Sequence, residues 1–353
     1  MFIPHSKPFV DNEDIKTVAN QVKSGLHAVQ DKTKEFENKL ANLVEKKYAK
    51  ATNSGTNALH LALLSLDIKE NDEVIFPSYN CQSIYNAVNY VKAKPILADT
   101  DKNSPNISET TIKPLITSNT KAIIIPHMLG VPANIDEIIK LADEHNIPVI
   151  EDCAQSLGAY YNSKQTGSYG IISIFSFFAT KVISTGYGGM ILTDSEEINS
   201  KIHDLTQYDE RSELKPAYNY SLTDIQAVLG ISQLNKLDFL LNRRKEIAKK
   251  YVQAFKDKVS FLNYKQGFPF RFLLIFNNQK ERDKAKEELN SKDIRCRTPF
   301  IKPLHHYEEF KNIKNNFPNS EALFNNALSI PIYPALTDDE VDFIIKSVKE
   351  VLE

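Results

Sequence analysis

Two stretches decide the fold: Pro148-Val149-Ile150-Glu151-Asp152-Cys153-Ala154-Gln155, and Ile171-Ile172-Ser173-Ile174-Phe175-Ser176-Phe177-Phe178-Ala179-Thr180-Lys181. Each begins as a short run of β-branched and aromatic residues and leaves a polar side chain at its carboxyl end, Asp152 in the first and Lys181 after the second. Apolar runs of this length, bounded by turn residues, read as strands buried on both faces. Working outward, Tyr48–Thr52, Glu73–Pro77, Pro95–Asp99, Lys121–Ile125 and Met190–Thr193 have the same texture. Amphipathic segments such as Thr56–Leu66 and Asn134–His145 separate them. Strand–helix alternation of this kind predicts an α/β fold, a largely parallel sheet covered on both faces by helices.

One long helix is expected from about Leu222 to Phe255, followed by a different texture: a strand near Phe268–Phe276, a helix near Lys280–Ser291 and a last helix at Asp338–Leu352. This places a domain boundary near Asn242, with a large domain over 1–242 and a smaller α+β domain over 243–353. The length of 353 residues fits two domains.

Lys plus Arg number 43 and Asp plus Glu 45, a formal charge of −2, which offers no electrostatic footprint for nucleic acid or an anionic membrane. No run reaches the ~18 apolar residues of a membrane span. The N-terminal residues Phe2-Ile3-Pro4-His5-Ser6-Lys7-Pro8 lack the basic-then-apolar order of a secretory leader. Cys81, Cys153 and Cys296 are odd in number and widely spaced, which argues against both a disulfide framework and a zinc site. The expectation is a cytoplasmic protein without a metal.

Eight of the 11 glycines fall between Gly55 and Gly189. In a glycine-poor chain such clustering marks backbone that turns tightly or approaches a ligand. Asn53-Ser54-Gly55-Thr56 joins a strand to a helix, which aims backbone N–H groups and a helix N-terminus at an anion. A phosphate cradle, a carboxylate and a lysine at strand ends are what pyridoxal 5'-phosphate (PLP) requires: the lysine forms a Schiff base, and the carboxylate keeps the ring nitrogen protonated so that the ring can accept electrons. Spacing alone does not establish this, because a lysine after a strand is as a rule a solvated surface residue.

The wider sequence bears on the point. EDCAQSLGA (Glu151–Ala159), FSFFATK (Phe175–Lys181) and TGYGGMILTD (Thr185–Asp194) closely resemble the DegT/DnrJ/StrS family of sugar aminotransferases. So do NSGTNALHLAL (Asn53–Leu63), DEVIFPSY (Asp72–Tyr79), AIIIPHMLGVPANIDEI (Ala122–Ile138), YNYSLTDIQAVLGISQLNKLD (Tyr218–Asp238) and LSIPIYPALTDDEV (Leu328–Val341). The similarity runs along nearly the whole chain in the family's order. It implies the type I aspartate-aminotransferase fold, a three-layer α/β/α large domain with a smaller C-terminal domain, PLP (pyridoxamine phosphate, PMP, in the half-cycle) and a homodimer with shared active sites. It also implies roles. Lys181 would bind the cofactor and shuttle protons, Asp152 would pair with the ring nitrogen, and Gln155 would lie near the ring hydroxyl. Gly55, Thr56 and Ser176 would hold the phosphate, with Asn219 reaching the phosphate of the neighbouring subunit. Cys81 stands where many relatives stack an aromatic ring on the cofactor.

Other departures are Phe178 in place of a common histidine, Tyr187 in a turn that is usually Gly-Glu-Gly-Gly, and Ser221 where many members carry arginine. The family's dehydratases carry histidine at the position of Lys181, so the lysine implies transamination from L-glutamate to a keto-sugar. The departures leave two alternatives open: the same chemistry on a small phosphorylated ketone or cyclitol, and a PLP-binding regulatory protein without turnover. A nicotinamide-dependent dehydrogenase is disfavoured by the absence of GxGxxG. Arg211, Arg243, Arg295 and Arg297 are all candidates for the donor's carboxylate. His127 is either a pocket residue or an ordinary loop histidine, and His305 and His306 have no assignable role.

Overall fold

The computed structural model describes residues 2–102, 104–264 and 266–353. Twelve strands follow in chain order: β1 (Tyr48–Thr52), β2 (Glu73–Pro77), β3 (Lys94–Ala98), β4 (Thr120–Pro126), β5 (Val149–Asp152), β6 (Tyr160–Tyr161), β7 (Lys164–Gln165), β8 (Ile172–Ser176), β9 (Gly189–Thr193), β10 (Ser260–Phe261), β11 (Phe272–Ile275) and β12 (Ala327–Ile330). Seven form one sheet in the order β1-β9-β8-β5-β4-β2-β3. The pairs β3/β2, β2/β4, β4/β5 and β5/β8 are parallel, while β9 runs antiparallel to both β8 and β1. This is the expected mostly parallel, helix-covered architecture.

The strand sequences explain it. Along β4, Ile124 packs with Ile150, Ile172 and Ile174 in one core, whereas Ile123 and Ile125 enter the core on the other side with Ile135 and Ile138. Successive side chains of a strand point to opposite faces, so a run of isoleucines needs both faces covered. Among the described residues no helix is long and apolar enough to cross a membrane.

The expected single helix from 222 to 255 is two, Asp224–Asn235 and Leu237–Phe255, broken at Lys236 (φ −109°, ψ 18°). The apolar periodicity continues through the break and hides it. Asn242 falls inside the second of these helices. Its Leu237, Leu240 and Leu241 pack with Phe175 and Phe177 of the large sheet, and its Ile247, Tyr251 and Phe255 pack with Phe272 and Leu274 of a three-stranded antiparallel sheet, β10-β11-β12. Ile3 joins that second core too. It bridges Ile294, and Arg295 N–H donates to its carbonyl at 2.9 Å. Nothing in the N-terminal sequence announced this link.

Two residues beyond Ile3, His5 is buried between Ser329 Oγ, 2.9 Å from its Nε2, and Arg271, whose Nη1 lies 3.1 Å from its Nδ1. Burial, then the charges of Arg271 and Arg297, push its imidazole from 6.5 down to about 3. Between those pH values the folded chain binds fewer protons here than the unfolded one, so His5 costs stability as pH falls through the window. Replacing it by glutamine, which keeps an acceptor for Arg271, should flatten the acid-induced loss between pH 6.5 and about 3 by on the order of 1 kcal/mol per pH unit. Urea unfolding of both proteins across this range measures the difference.

Candidate active site

The polar groups singled out in the sequence gather beyond the carboxyl ends of the strands, where open α/β sheets collect ligands. Asp152 closes β5 and Ser176 closes β8. Lys181 follows in the next turn, its N–H donating to Phe178 O at 2.8 Å. Cys81 follows β2 as the residue before the helix Gln82–Tyr90, and Gly55 opens the helix Gly55–Ser65 after β1.

That helix start is built for close approach. Ser54 Oγ caps it by accepting from Asn57 N–H at 3.2 Å, leaving the N–H groups of Gly55 and Thr56 outside the helix's own bonding. A Cβ added to Gly55 would lie 2.9 Å from Ser176 Cβ, and one on Gly189 would lie 2.5 Å from the Ser54 carbonyl. The helix N-terminus therefore rests on β8 and β9 because neither glycine has a side chain. This contact brings together Gly55 and Ser176, with Thr56 beside them, three of the residues expected to hold a phosphate.

Asp152 is buried, and its Oδ1 accepts from Ala154 N–H at 2.9 Å. Burial raises its pKa, against the opposing pull of the Ala154 N–H and the charge of Lys181. Lys181 keeps some accessible surface, but its ammonium end lies in dense protein, 5.7 Å from the centre of the Phe270 ring. Burial lowers its pKa, with Cys81 and Asp152 opposing and Arg271 adding to the fall. Desolvation thus works against both charges. The pair fits PLP in this respect: a cationic ring nitrogen would supply the counter-charge that Asp152 lacks, and a lysine that loses its proton readily can act on a carbonyl.

Gln155 is buried with its Oε1 accepting from Leu129 N–H at 3.1 Å. Asn219 is the one predicted site residue that stands exposed. It lies on the segment that lays Tyr220 O against Asn53 N–H at 2.7 Å and bridges Ser221 to Thr52. Phe178 and Tyr187 are likewise partly or largely exposed, in edge-to-face contact at 5.1 Å.

His127 does not face a pocket. It is fully buried, its Nδ1 accepts from Ala133 N–H at 3.0 Å, and its Nε2 therefore carries the proton donated to Glu151 at 2.9 Å. Glu151 also accepts from the N–H groups of Gly167, Tyr169 and Gly170 at 2.6 to 2.8 Å. Burial opposes its charge, but the His127 bond and these backbone donors hold it below the ordinary carboxylate value. With Cys153 these two residues are close enough to ligate a metal, but both ring nitrogens of His127 and the carboxylate of Glu151 are already engaged. His305 joins Ser78 Oγ (2.5 Å) to Glu321 (2.9 Å), and His306 shares the same glutamate.

Beside Cys81 opens a cavity of about 370 Å³, whose walls include Asn80, Arg271, Lys286, Arg297 and Lys302 and, among the described residues, no acidic side chain. Of the four arginines expected to compete for a donor carboxylate, only Arg297 lines it. Arg211 pairs with Asp204, Arg243 with Asp338, and Arg295 lies over the Phe2 ring. Arg271 was missed. The signal was present as a lone cation inside the aromatic run Phe268-Pro269-Phe270-Arg271-Phe272, where a buried charge needs a reason.

The profile of the DegT/DnrJ/EryC1/StrS aminotransferase family matches residues 8–349. GDP-perosamine synthase of Escherichia coli O157:H7 is 35% identical over 328 residues, spanning 89% of this chain and 88% of its own. Among solved structures, Spr1654 of Streptococcus pneumoniae superposes with a TM-score of 0.94 in both its PMP and PLP forms, at 27% and 26% identity, covering all of this chain and 98% and 99% of its own. Helicobacter pylori PseC, an aminotransferase involved in pseudoaminic acid biosynthesis, gives a TM-score of 0.92 at 25% identity over 100% of this chain and 99% of its own.

The Glu151 network generates a prediction of its own. Glu151→Gln places an amide N–H₂ against groups that all donate, and should cost about 2–4 kcal/mol. Glu137→Gln, at an exposed position, should stay within about 0.5 kcal/mol of the parent. Equilibrium denaturation of the two variants compares them directly.

Proposed function

The chain belongs to the DegT/DnrJ/EryC1/StrS aminotransferase family, and from that membership we propose that this PLP-dependent aminotransferase moves the amino group of L-glutamate to a keto-sugar carried on a nucleotide. The observation that carries the reading is the buried Lys181–Asp152 pair at the carboxyl edge of the sheet, with burial working against both charges. GDP-perosamine synthase and PseC, both close in fold or sequence, support a sugar acceptor.

Gly55, Thr56 and Ser176 would hold the cofactor phosphate, with Asn219 of a second copy. Asp152 would answer the charge of the ring nitrogen, and Cys81 would pack its sulfur against the ring in place of an aromatic face. Gln155 has its Oε1 committed to Leu129, which leaves its amide N–H₂ to donate to the ring hydroxyl. When bound, PLP supplies an electron sink for the carbanion left by removal of a proton beside the amine. Lys181 Nζ would take that proton and return it two atoms away, to the carbon on the other side of the amine nitrogen, acting as base and then acid. Its lowered pKa favours the first role, and the Phe270 ring beside its Nζ limits the access of bulk water that would compete for the proton.

The remaining expectations form part of the same proposal. The working unit is a homodimer, supported by exposed Asn219 and by the outward-facing Phe178 and Tyr187 beside the Lys181 turn. The division between cofactor-binding and small domains falls within the helix Leu237–Phe255, close to Asn242. Three free thiols at Cys81, Cys153 and Cys296 accord with a cytoplasmic enzyme.

Adding L-glutamate to the PLP-loaded protein should replace the long-wavelength absorption of the lysine-bound cofactor by the shorter-wavelength PMP band. Lys181→Ala should abolish turnover. A Lys181→Ala protein that transaminates at the parent rate would falsify the assignment. A parent protein that binds PLP but responds to no amino donor would instead favour the regulatory reading.

A further inference from the structure

His305 and His306, which the sequence left without a role, converge on one carboxylate. His305 Nε2 lies 2.9 Å and His306 Nε2 2.5 Å from the same oxygen, Oε1 of Glu321, and the three ligand atoms lie within 4.8 Å of one another. Two imidazole nitrogens and a carboxylate oxygen are a donor set that zinc takes with water as the fourth ligand. Ligands about 2.0–2.1 Å from a tetrahedral ion stand about 3.3 Å apart, so the two nitrogen–oxygen contacts need open by less than about 1 Å. The cluster is also reachable, unlike the one around His127: the side chains of His306 and Glu321 are 32% and 37% exposed.

Both elements that bring the ligands are anchored on neighbouring strands of the large sheet. Just past β2, Ser78 O accepts from Leu304 N–H at 2.9 Å and Ser78 Oγ from His305 N–H at 3.2 Å. Just past β3, Asp99 accepts from Asn319 N–H at 3.0 Å and Ser320 N–H at 2.8 Å. It thereby fixes the start of the helix Pro318–Asn326, which carries Glu321. The rings are held as well: His305 stacks on Phe317 at 4.3 Å, and His306 stands edge-on to Phe324 at 5.7 Å. Ser78 Oγ lies 2.5 Å from His305 Nδ1. As an acceptor there it keeps the proton on Nδ1 and frees the lone pair of Nε2, the outer-shell arrangement of a metal-bound imidazole. Without an ion the other tautomer donates Nε2–H to Glu321.

We propose that His305, His306 and Glu321 form a site for one zinc ion, with water completing its coordination. None of these ligands belongs to the cofactor site, and the cysteines, from which the sequence argued against zinc, take no part. The ion stands where it stiffens a wall of the cavity beside Cys81. Lys302 and Tyr307 line that cavity and flank the two histidines; Lys302 Nζ donates to His306 O at 3.2 Å and lies 3.9 Å from the centre of the Tyr307 ring. Ser78, which holds His305, leads into Asn80 and Cys81 of the same cavity. Joining residues 304–306 to the helix at 318–326 fixes this stretch of wall, so the ion acts on the fit of the acceptor and touches no reacting atom. That consequence rests on the transamination reading above; the ion site does not.

The test is a calorimetric titration with Zn²⁺ of untagged, PLP-loaded protein that has been freed of metal by a chelator. One ion per chain should bind, and the melting temperature should rise with Zn²⁺ concentration. Ser78→Ala, which removes only the acceptor behind His305, should weaken binding about 10-fold. His306→Gln and Glu321→Gln each remove a ligand and should weaken it by more than about 10²-fold. Absence of saturable binding by the parent overturns the assignment, as does binding that persists at parental strength in both ligand variants. Binding lost in Cys81→Ser instead puts the ion at the thiol and also overturns it. Should a ligand variant not fold, the visible spectrum of the Co²⁺-loaded parent decides: intense four-coordinate bands are expected, and weak six-coordinate ones overturn the site. Zn²⁺-loaded protein should reach half-saturation at a lower keto-sugar concentration than metal-free protein, with conversion to PMP by L-glutamate unchanged; equal half-saturation overturns the effect on the cavity. If the parent converts no donor at all, the transamination reading fails, and the Zn²⁺ titration still decides the site.

Discussion

A carboxylate taken out of water must have its lone pairs occupied, and Glu151 satisfies that requirement with groups from two other parts of the chain. Its oxygens accept from His127 at the end of β4 and from the backbone of Gly167, Tyr169 and Gly170 just before β8. The three parallel strands β4, β5 and β8 are thereby tied together at the edge where the reactive groups stand. Because successive residues of a strand face opposite ways, pinning Glu151 on one side of β5 fixes Asp152 on the other. The backbone adds a second tie, His127 N–H donating to Asp152 O at 3.1 Å. The position of Asp152 is thus held by a neighbouring carboxylate, Glu151, whose own partners all come from the chain.

The same desolvation that makes Glu151 a structural clamp makes Lys181, Asp152 and Arg271 chemically poised. Glu151 has enough donors to stay charged. Asp152 has one backbone donor, Lys181 has a distant carboxylate, and Arg271 has a neutral imidazole. The contrast separates a buried group whose partners all come from the chain from groups that the chain leaves short of partners. Burial alone would not distinguish them; the count of available partners does.

Most of this was legible in the sequence wherever one residue's chemistry and its local strand or turn context coincided. Strand ends marked by Asp152 and Ser176, and a glycine at the head of a helix, have local signatures, and the parallel sheet follows from runs such as Ile123-Ile124-Ile125. What could not be read were the outcomes decided by distant packing. The break at Lys236 is silent because apolar residues on either side of it, Ala227 before and Leu237, Leu240 and Leu241 after, serve the same core, so the periodicity runs on through it. His127 sits after a strand like a pocket residue, and only the Ala133 N–H and Glu151 reveal that both its nitrogens are committed. Arg271 lies in an aromatic stretch expected to be one strand from Phe268 to Phe276; the strand runs only from Phe272 to Ile275, and Arg271 falls in the bend just before it, where the sequence pattern hides the charge.

The site also joins two bodies of packing that the chain builds separately. Lys181, Asp152 and the Gly55–Ser176 cradle stand on the large sheet, while Arg271 precedes β11 and Arg297 bridges Ser329 of β12 on the small one. Two links set the distance between them. One is the helix Leu237–Phe255, with one half in each core. The other is the N-terminal segment, which crosses over so that Ile3 packs in the second core and His5 meets both Ser329 and Arg271. These two links hold the Lys181 side and the Arg271 side of the site in register. The buried apolar face of one helix and a single neutral histidine supply that rigidity, and neither needs to contact a substrate.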